Sequence, residues 1–230
     1  MTIIDFIKLE LKGWNKSEII GLGFVFLIIL INSLILNDSK IAIIYAICGV
    51  LYTIIAGKGK LSCYFFGICS TLCYSYLSYK NGLYGNFALN MCYYLPMQII
   101  GIFAWKKNLN KTTNEIIKTN LAKKDFMISV TITTITSIVV MYILKQLGDT
   151  SPYMDSITTT FSILAMYLTV KRCIEQWIIW TTVNGFAVAM WISMILHGSK
   201  TYSTIITWLV YFILGIYFYI QWDKEISNKN

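Results

Sequence analysis

From the N-terminus onward, long apolar runs alternate with short polar breaks. The runs cover residues 19–36, 40–57, 61–79, 82–105, 126–147, 153–170, 175–196 and 201–222. A helix that crosses a bilayer needs roughly 17–25 mostly apolar residues. The pattern therefore predicts eight transmembrane helices and an all-α integral membrane fold. The fifth run is the most polar, with Ser129, Thr131, Thr133, Thr134, Thr136 and Ser137 inside it. Such hydroxyls bond back to helical carbonyls and are tolerated in a membrane helix. Before the first run, Asp5, Lys8, Glu10, Lys12 and Lys16 alternate with apolar positions. That reads as a short interfacial helix rather than a cleaved signal.

Composition agrees. Of 230 residues, 57% are hydrophobic and 13% are charged, against about 45–50% and 25% in soluble domains. A soluble fold of this size could not hide so much apolar surface. There are 19 Lys+Arg against 11 Asp+Glu, a net charge of +8. With eight spans, fifteen cations fall on the face of the N-terminus, around residues 8–16, 58–60, 106–124, 171–172 and 224–229. The other face holds only Lys40, Lys80, Lys145 and Lys200. By the positive-inside rule both termini are cytoplasmic and the span count is even. The surplus is a topology signature, so the expected partner is the lipid bilayer and not nucleic acid.

The longest polar stretch, 106–125, reads as a joint. The expected organisation is an interfacial segment with an extra helix (1–37), a first three-helix repeat (38–105), a cytoplasmic loop with a linking helix (106–147), a second three-helix repeat (148–222) and a tail (223–230). Shifting the chain by 115 residues lays Leu51-Tyr52 on Met166-Tyr167 and Lys60 on Glu175. Both repeats end as Trp followed by charge, at Trp105-Lys106 and Trp222-Asp223. One linking helix between two three-helix units leaves them parallel, one of the known transporter symmetries.

Little in the chain points to catalysis. The six cysteines form no CxxC pair and read as small buried hydrophobes. His197 is the only histidine, and no metal site, cofactor motif or catalytic triad is expected. The intramembrane polar groups are amides and indoles. Trp177, Trp180 and Asn184 share one face of the seventh run. Asn86, Asn90, Tyr94 and Gln98 recur at steps of four in the fourth. At about 1.5 Å per residue, Trp180 and Asn184 lie about 8 and 14 Å from Glu175, and Gln98 about 10 Å from Trp105. Amides suit hydroxyls or a carboxamide, and indoles suit stacking or cation–π contact with an aromatic solute. Asp155 follows Pro152 closely and reads as a helix-start residue, with gating as the alternative.

Several motifs resemble one family. Gly49-Val50-Leu51-Tyr52 and Ala56-Gly57-Lys58-Gly59-Lys60-Leu61-Ser62-Cys63-Tyr64-Phe65-Phe66-Gly67 resemble the second-to-third-helix signature of PnuC-type vitamin transporters. So do Leu83-Tyr84-Gly85 followed by Asn90, Pro96, Gln98, Gly101 and Trp105, and Glu175-Gln176-Trp177 followed by Trp180 and Asn184. The resemblance implies a SWEET-like fold of two parallel three-helix bundles, arranged 1+3+1+3, and a homotrimer in a bacterial inner membrane. It implies uniport of nicotinamide riboside through a central site, trapped by intracellular phosphorylation, with thiamine or another vitamin on the same scaffold as the alternative. Matched position by position, the binding residues are Trp180, Asn184, Gln98, Asn90 and Trp177, with Tyr217 at a family aromatic position. Cys63 stands where the family usually has Asn, and Leu214 where a polar residue is expected.

Overall fold

The computed structural model describes residues 13–35, 39–80, 84–148, 151–196 and 202–228. Residues 1–12 of the expected interfacial segment, and His197, lie outside the described residues. The described chain is helical, as the apolar runs predict: α1 (Lys16–Ile35), α2 (Lys40–Gly57), α3 (Cys63–Lys80), α4 (Tyr84–Leu89), a π-turn (Asn90–Tyr94), α5 (Leu95–Lys106), α6 (Lys123–Gln146), α7 (Pro152–Val170), α8 (Glu175–Leu196) and α9 (Tyr202–Ser227). Since α4, the π-turn and α5 run on without a break in helical backbone, they make one rod. Among the described residues, Lys40–Gly57, Asn86–Lys106, Lys123–Gln146 and Ile205–Ser227 are long and apolar enough to cross a membrane. The helices α1, α3, α7 and α8 have 20, 18, 19 and 22 residues, enough by length.

The hydroxyl-rich run becomes α6 because its polar groups are satisfied internally. Ser129, Thr131, Thr134 and Thr136 each donate to the carbonyl four residues back, at 2.8–2.9 Å. Its other surface is apolar and exposed, with Met127, Ile132, Ile135 and Val139 more than half open, as a lipid-facing helix requires.

The chain forms two compact units that meet in sequence between Ile117 and Lys118, inside the polar stretch. In the first unit α1 packs on α2, α2 on α3, and α3 on α5. In the second, α6 packs on α7, α7 on α8, and α8 on α9. The core of the second unit is Leu164, Ala165 and Leu168 of α7 with Cys173 and Ile179; Phe126, Val130 and Trp180 pack against it. Burial pushes the Cys173 thiol above its ordinary range, which makes it an inert packing group.

Both units use the same turn. α2 ends with Gly59 at φ 66°, where Lys60 N–H donates to Ile55 O and Gly59 N–H to Ala56 O. α7 ends with Arg172 at φ 62°, where Cys173 N–H donates to Leu168 O and Arg172 N–H to Thr169 O. These are two Schellman caps, with the left-handed residue at the position glycine usually takes. In each, the carbonyl of that residue accepts an N–H from the segment before α6: Gly59 O from Ile116 at 2.9 Å, and Arg172 O from Thr119 at 3.0 Å. The turns thus superpose Gly59 on Arg172, two residues out of register with the 115-residue shift read from sequence. Lys60 and Glu175 still hold the same segment, with opposite charge. Lys60 Nζ reaches Thr113 O at 3.1 Å and Glu115 at 3.3 Å, and Glu175 Oε1 accepts from Leu121 N–H at 2.9 Å.

Lys60 is fully buried, while Glu115 stays partly exposed. Removing the cation leaves a half-covered carboxylate and a carbonyl without their partner, so the cost lies below that of breaking a fully buried pair. Lys60→Met is expected to lower stability by about 2 kcal/mol, read as a drop in the thermal midpoint of purified protein in detergent. An unchanged midpoint would show that this pair does not hold the segment.

Candidate functional site

The first unit's candidate residues depend on a local defect. Pro96 has no N–H, and its ring crowds the carbonyl four residues back, so a regular α-helix is disfavoured there. The chain responds with the π-turn, in which Leu95 N–H bonds to Asn90 O, five residues back. π-bulges of this kind are frequent at functional sites. In a regular helix a spacing of four residues drifts about 40° per step; the wider turn counters that drift. Asn90 and Gln98 are consequently both buried, whereas Asn86 is exposed and Tyr94 half-buried.

The amides are differently engaged. Asn90 Nδ2 donates to Asn86 O at 2.8 Å, within its own rod. Gln98 Nε2 donates to Thr71 Oγ1 at 2.7 Å on α3, and its Oε1 is enclosed without a partner. The two helices meet through matched faces: Tyr64, Gly67 and Thr71 on α3 against Trp105, Gly101 and Gln98 on α5. A Cβ on Gly67 would stand 3.2 Å from Gln98 Oε1 and closer still to the Tyr52 ring, and one on Gly101 would run into Tyr64. Tyr64 meets Trp105 edge-on, with ring centroids 5.0 Å apart.

The second unit presents its candidates on α8 and α9. Trp180 is half-buried and its Nε1 donates to Thr169 Oγ1 of α7 at 3.2 Å. Because the ring also packs on the core cluster, it is held on one side and on its edge. Asn184 is buried, 6% exposed, one turn further along α8. Trp177 is buried in an aromatic cluster, 5.2 Å from Phe218 and 5.7 Å edge-on from Trp222 between ring centroids, and its Nε1 has no partner. Tyr217 is 37% exposed, with its ring edge-on to Phe218. Trp105 and Trp222, the tryptophans that precede the charged ends at Lys106 and Asp223, are fully buried. Leu214 is half-buried and Cys63 fully buried. Asp155 sits in the first turn of α7, where the helix dipole favours an acid.

Two clefts open in the second unit. One, of about 350 Å³, lies along α8 and α9 beside Thr181, Gly185 and Phe212. The other, of about 380 Å³, lies between α6 and α7 beside Ser137, Tyr153 and Phe161. None of the six expected residues lines either cleft. Among the described residues no group of three or more His, Cys, Asp or Glu is placed to hold a metal ion. The sequence reading missed Thr71, Thr169 and Thr181. For Thr71 a signal was present in the three- and four-residue steps from Tyr64 through Gly67. Thr169 and Thr181 carry no local signal, because each matters through a partner on another helix.

The chain that carries these residues is similar to known proteins along its whole length. The family model for nicotinamide mononucleotide transporters matches residues 39–224. The chain belongs to the PnuC family of membrane transporters. The nicotinamide riboside transporter PnuC of Neisseria mucosa is 31% identical over 95% of this chain and 85% of its own length. That of Haemophilus influenzae is 29% identical, with both chains covered completely. The crystal structure of the vitamin B3 transporter PnuC superposes over the whole of both chains with a TM-score of 0.83 at 29% identity. PnuC proteins are multi-pass membrane transporters and not enzymes, in line with the absence of catalytic motifs from the sequence.

Proposed function

We propose that this protein imports nicotinamide riboside by facilitated diffusion across a bacterial inner membrane, with both termini in the cytoplasm, and that phosphorylation inside the cell traps the product. The observation that carries the reading is the end-to-end likeness to nicotinamide riboside transporters. Uniport is favoured because the intramembrane polar groups are amides, hydroxyls and indoles, with no chain of acids to relay protons. The riboside is a pyridinium cation bearing a carboxamide and ribose hydroxyls. Trp180 offers the cation an indole face, and Gln98, Asn184 and Asn90 offer amides to the carboxamide and hydroxyls. Trp177 and Tyr217 complete the proposed set, Trp177 by backing the others. A 1+3+1+3 helix order is supported by the paired Schellman turns at Gly59 and Arg172; a homotrimer is the proposed assembly.

The test is uptake of labelled nicotinamide riboside into proteoliposomes holding the purified chain. Saturable uptake without an imposed proton or sodium gradient is expected, with unlabelled riboside competing better than thiamine. Uptake no faster than in empty liposomes refutes the reading. Preferred competition by thiamine would keep the scaffold and change the vitamin.

A further inference from the structure

The seam between α8 and α9 leaves polar atoms unsatisfied beside open volume. Thr181 and Thr182 are neighbours on α8, yet their hydroxyls behave differently. Thr182 Oγ1 donates to Ile178 O at 2.9 Å, the usual outlet for a helical threonine. Thr181 Oγ1 is enclosed and has no hydrogen-bond partner. It lies against Gly215 of α9, where any Cβ would collide with the hydroxyl. One turn earlier, Trp177 Nε1 is enclosed without a partner as well. Burying such groups unpaired is costly, and two occur within a single turn of one helix.

The 350 Å³ cleft opens at this point. Phe186 and Phe212 wall it, and Thr181, Gly185 and Ala189 line its α8 side. Its volume lies in the range of small-molecule sites, which combine apolar walls with few polar groups. A Cβ on Gly185 would already stand 3.3 Å from the Phe212 ring, so the glycine keeps the cleft open. A lipid chain would fill this space but leave the hydroxyl unpaired. A flat ring carrying a hydrogen-bonding substituent satisfies both features.

We propose that this cleft is a solute position on the transport path, taking an aromatic ring with a carboxamide or sugar hydroxyl, and that Thr181 is its specificity-determining contact. The inference rests on the riboside reading above and extends it to residues outside the family's motif. The ring lies against Phe186 and Phe212; the Thr181 hydroxyl, which faces Gly215 in this structure, turns about χ1 into the cleft to bond the polar substituent.

The test compares labelled nicotinamide riboside uptake by wild type, Thr181→Val, Thr181→Ser and Ala189→Leu in proteoliposomes. Valine keeps the shape and removes the hydroxyl. KM is expected to rise about five- to tenfold, the worth of one hydrogen bond, with the maximal rate little changed. Serine should stay within about twofold of wild type. Ala189→Leu, which fills the cleft from an exposed position, should remove saturable uptake. Thermal midpoints in detergent at or above that of wild type for Thr181→Val separate a lost contact from misfolding. Wild-type KM in both Thr181→Val and Ala189→Leu overturns the inference, and is the result a lipid-filled groove gives. A wild-type chain that takes up no riboside overturns the parent reading instead.

Discussion

Alanine at Trp180 is expected to raise the KM for nicotinamide riboside about 30-fold or more and to bring uptake near background. The estimate follows from the ring's position. Its edge is held by the bond from Nε1 to Thr169, and it packs on the Leu164–Leu168 cluster, so the part of the indole left uncovered is presented without freedom to turn away. A cation against a desolvated indole is worth about 2 kcal/mol or more, and each 1.4 kcal/mol is tenfold in affinity. Trp180→Phe keeps an aromatic face and drops the N–H, so it should lose far less, roughly three- to tenfold, since the phenyl ring is the weaker partner for a cation. Both variants leave Thr169 bonded to Ala165 O, and α7 keeps its own helix. Uptake kinetics measured beside the thermal midpoint without substrate distinguish binding from folding. Unchanged KM in Trp180→Ala would exclude the indole from the solute's path.

The second large effect is structural. Gly101→Ala is expected to destabilise the first unit by about 3 kcal/mol, at the upper end for overpacking a tight core. The new Cβ would enter the space of the Tyr64 ring and hydroxyl, and that ring has little room to retreat. It is fully buried and held edge-on by Trp105, with the Tyr52 ring on another side. The double variant Tyr64→Ala/Gly101→Ala should therefore be less harmful than the two single losses added together. A double-mutant cycle on thermal midpoints measures that coupling. Strict additivity would mean that Gly101 is not required by Tyr64. Because Gln98 sits one turn from Gly101 and is oriented by Thr71, Gly101→Ala should also weaken riboside uptake in whatever fraction remains folded.

How far each feature could be read from the chain depended on the range of the interaction behind it. The helical runs, the polar joint and the helix start at Pro152 and Asp155 rest on local composition, and a linear scan sees local composition. The motif residues Trp180, Asn184, Gln98 and Asn90 were legible as types at particular depths. Their partners were not. Thr71 and Thr169 become relevant only when α3 packs on α5 and α7 on α8, and a sequence has no record of which faces meet. The fourth run read as one regular helix; Pro96 was visible in it, but the choice of a π-turn over a kink depends on which neighbours the bent rod must fit. The likeness of the two halves reads from the sequence as a shift of 115, whereas the two left-handed caps at Gly59 and Arg172 match two residues off that shift. Arg172 conceals that equivalence, because a Schellman cap usually announces itself by glycine.

By itself, then, the sequence determined an all-helical membrane protein, a polar joint over residues 106–125 and a core furnished with amides and indoles instead of acids. Those are consequences of hydropathy and residue type, which act position by position. The tertiary structure decided which of these groups are satisfied by neighbours and which are left wanting a partner. Asn90, Trp180 and Thr182 are bonded within the fold, while Gln98 Oε1, Trp177 Nε1 and Thr181 Oγ1 are not. Hydrogen bonding is a property of pairs at about 3 Å, and only packing brings such pairs together.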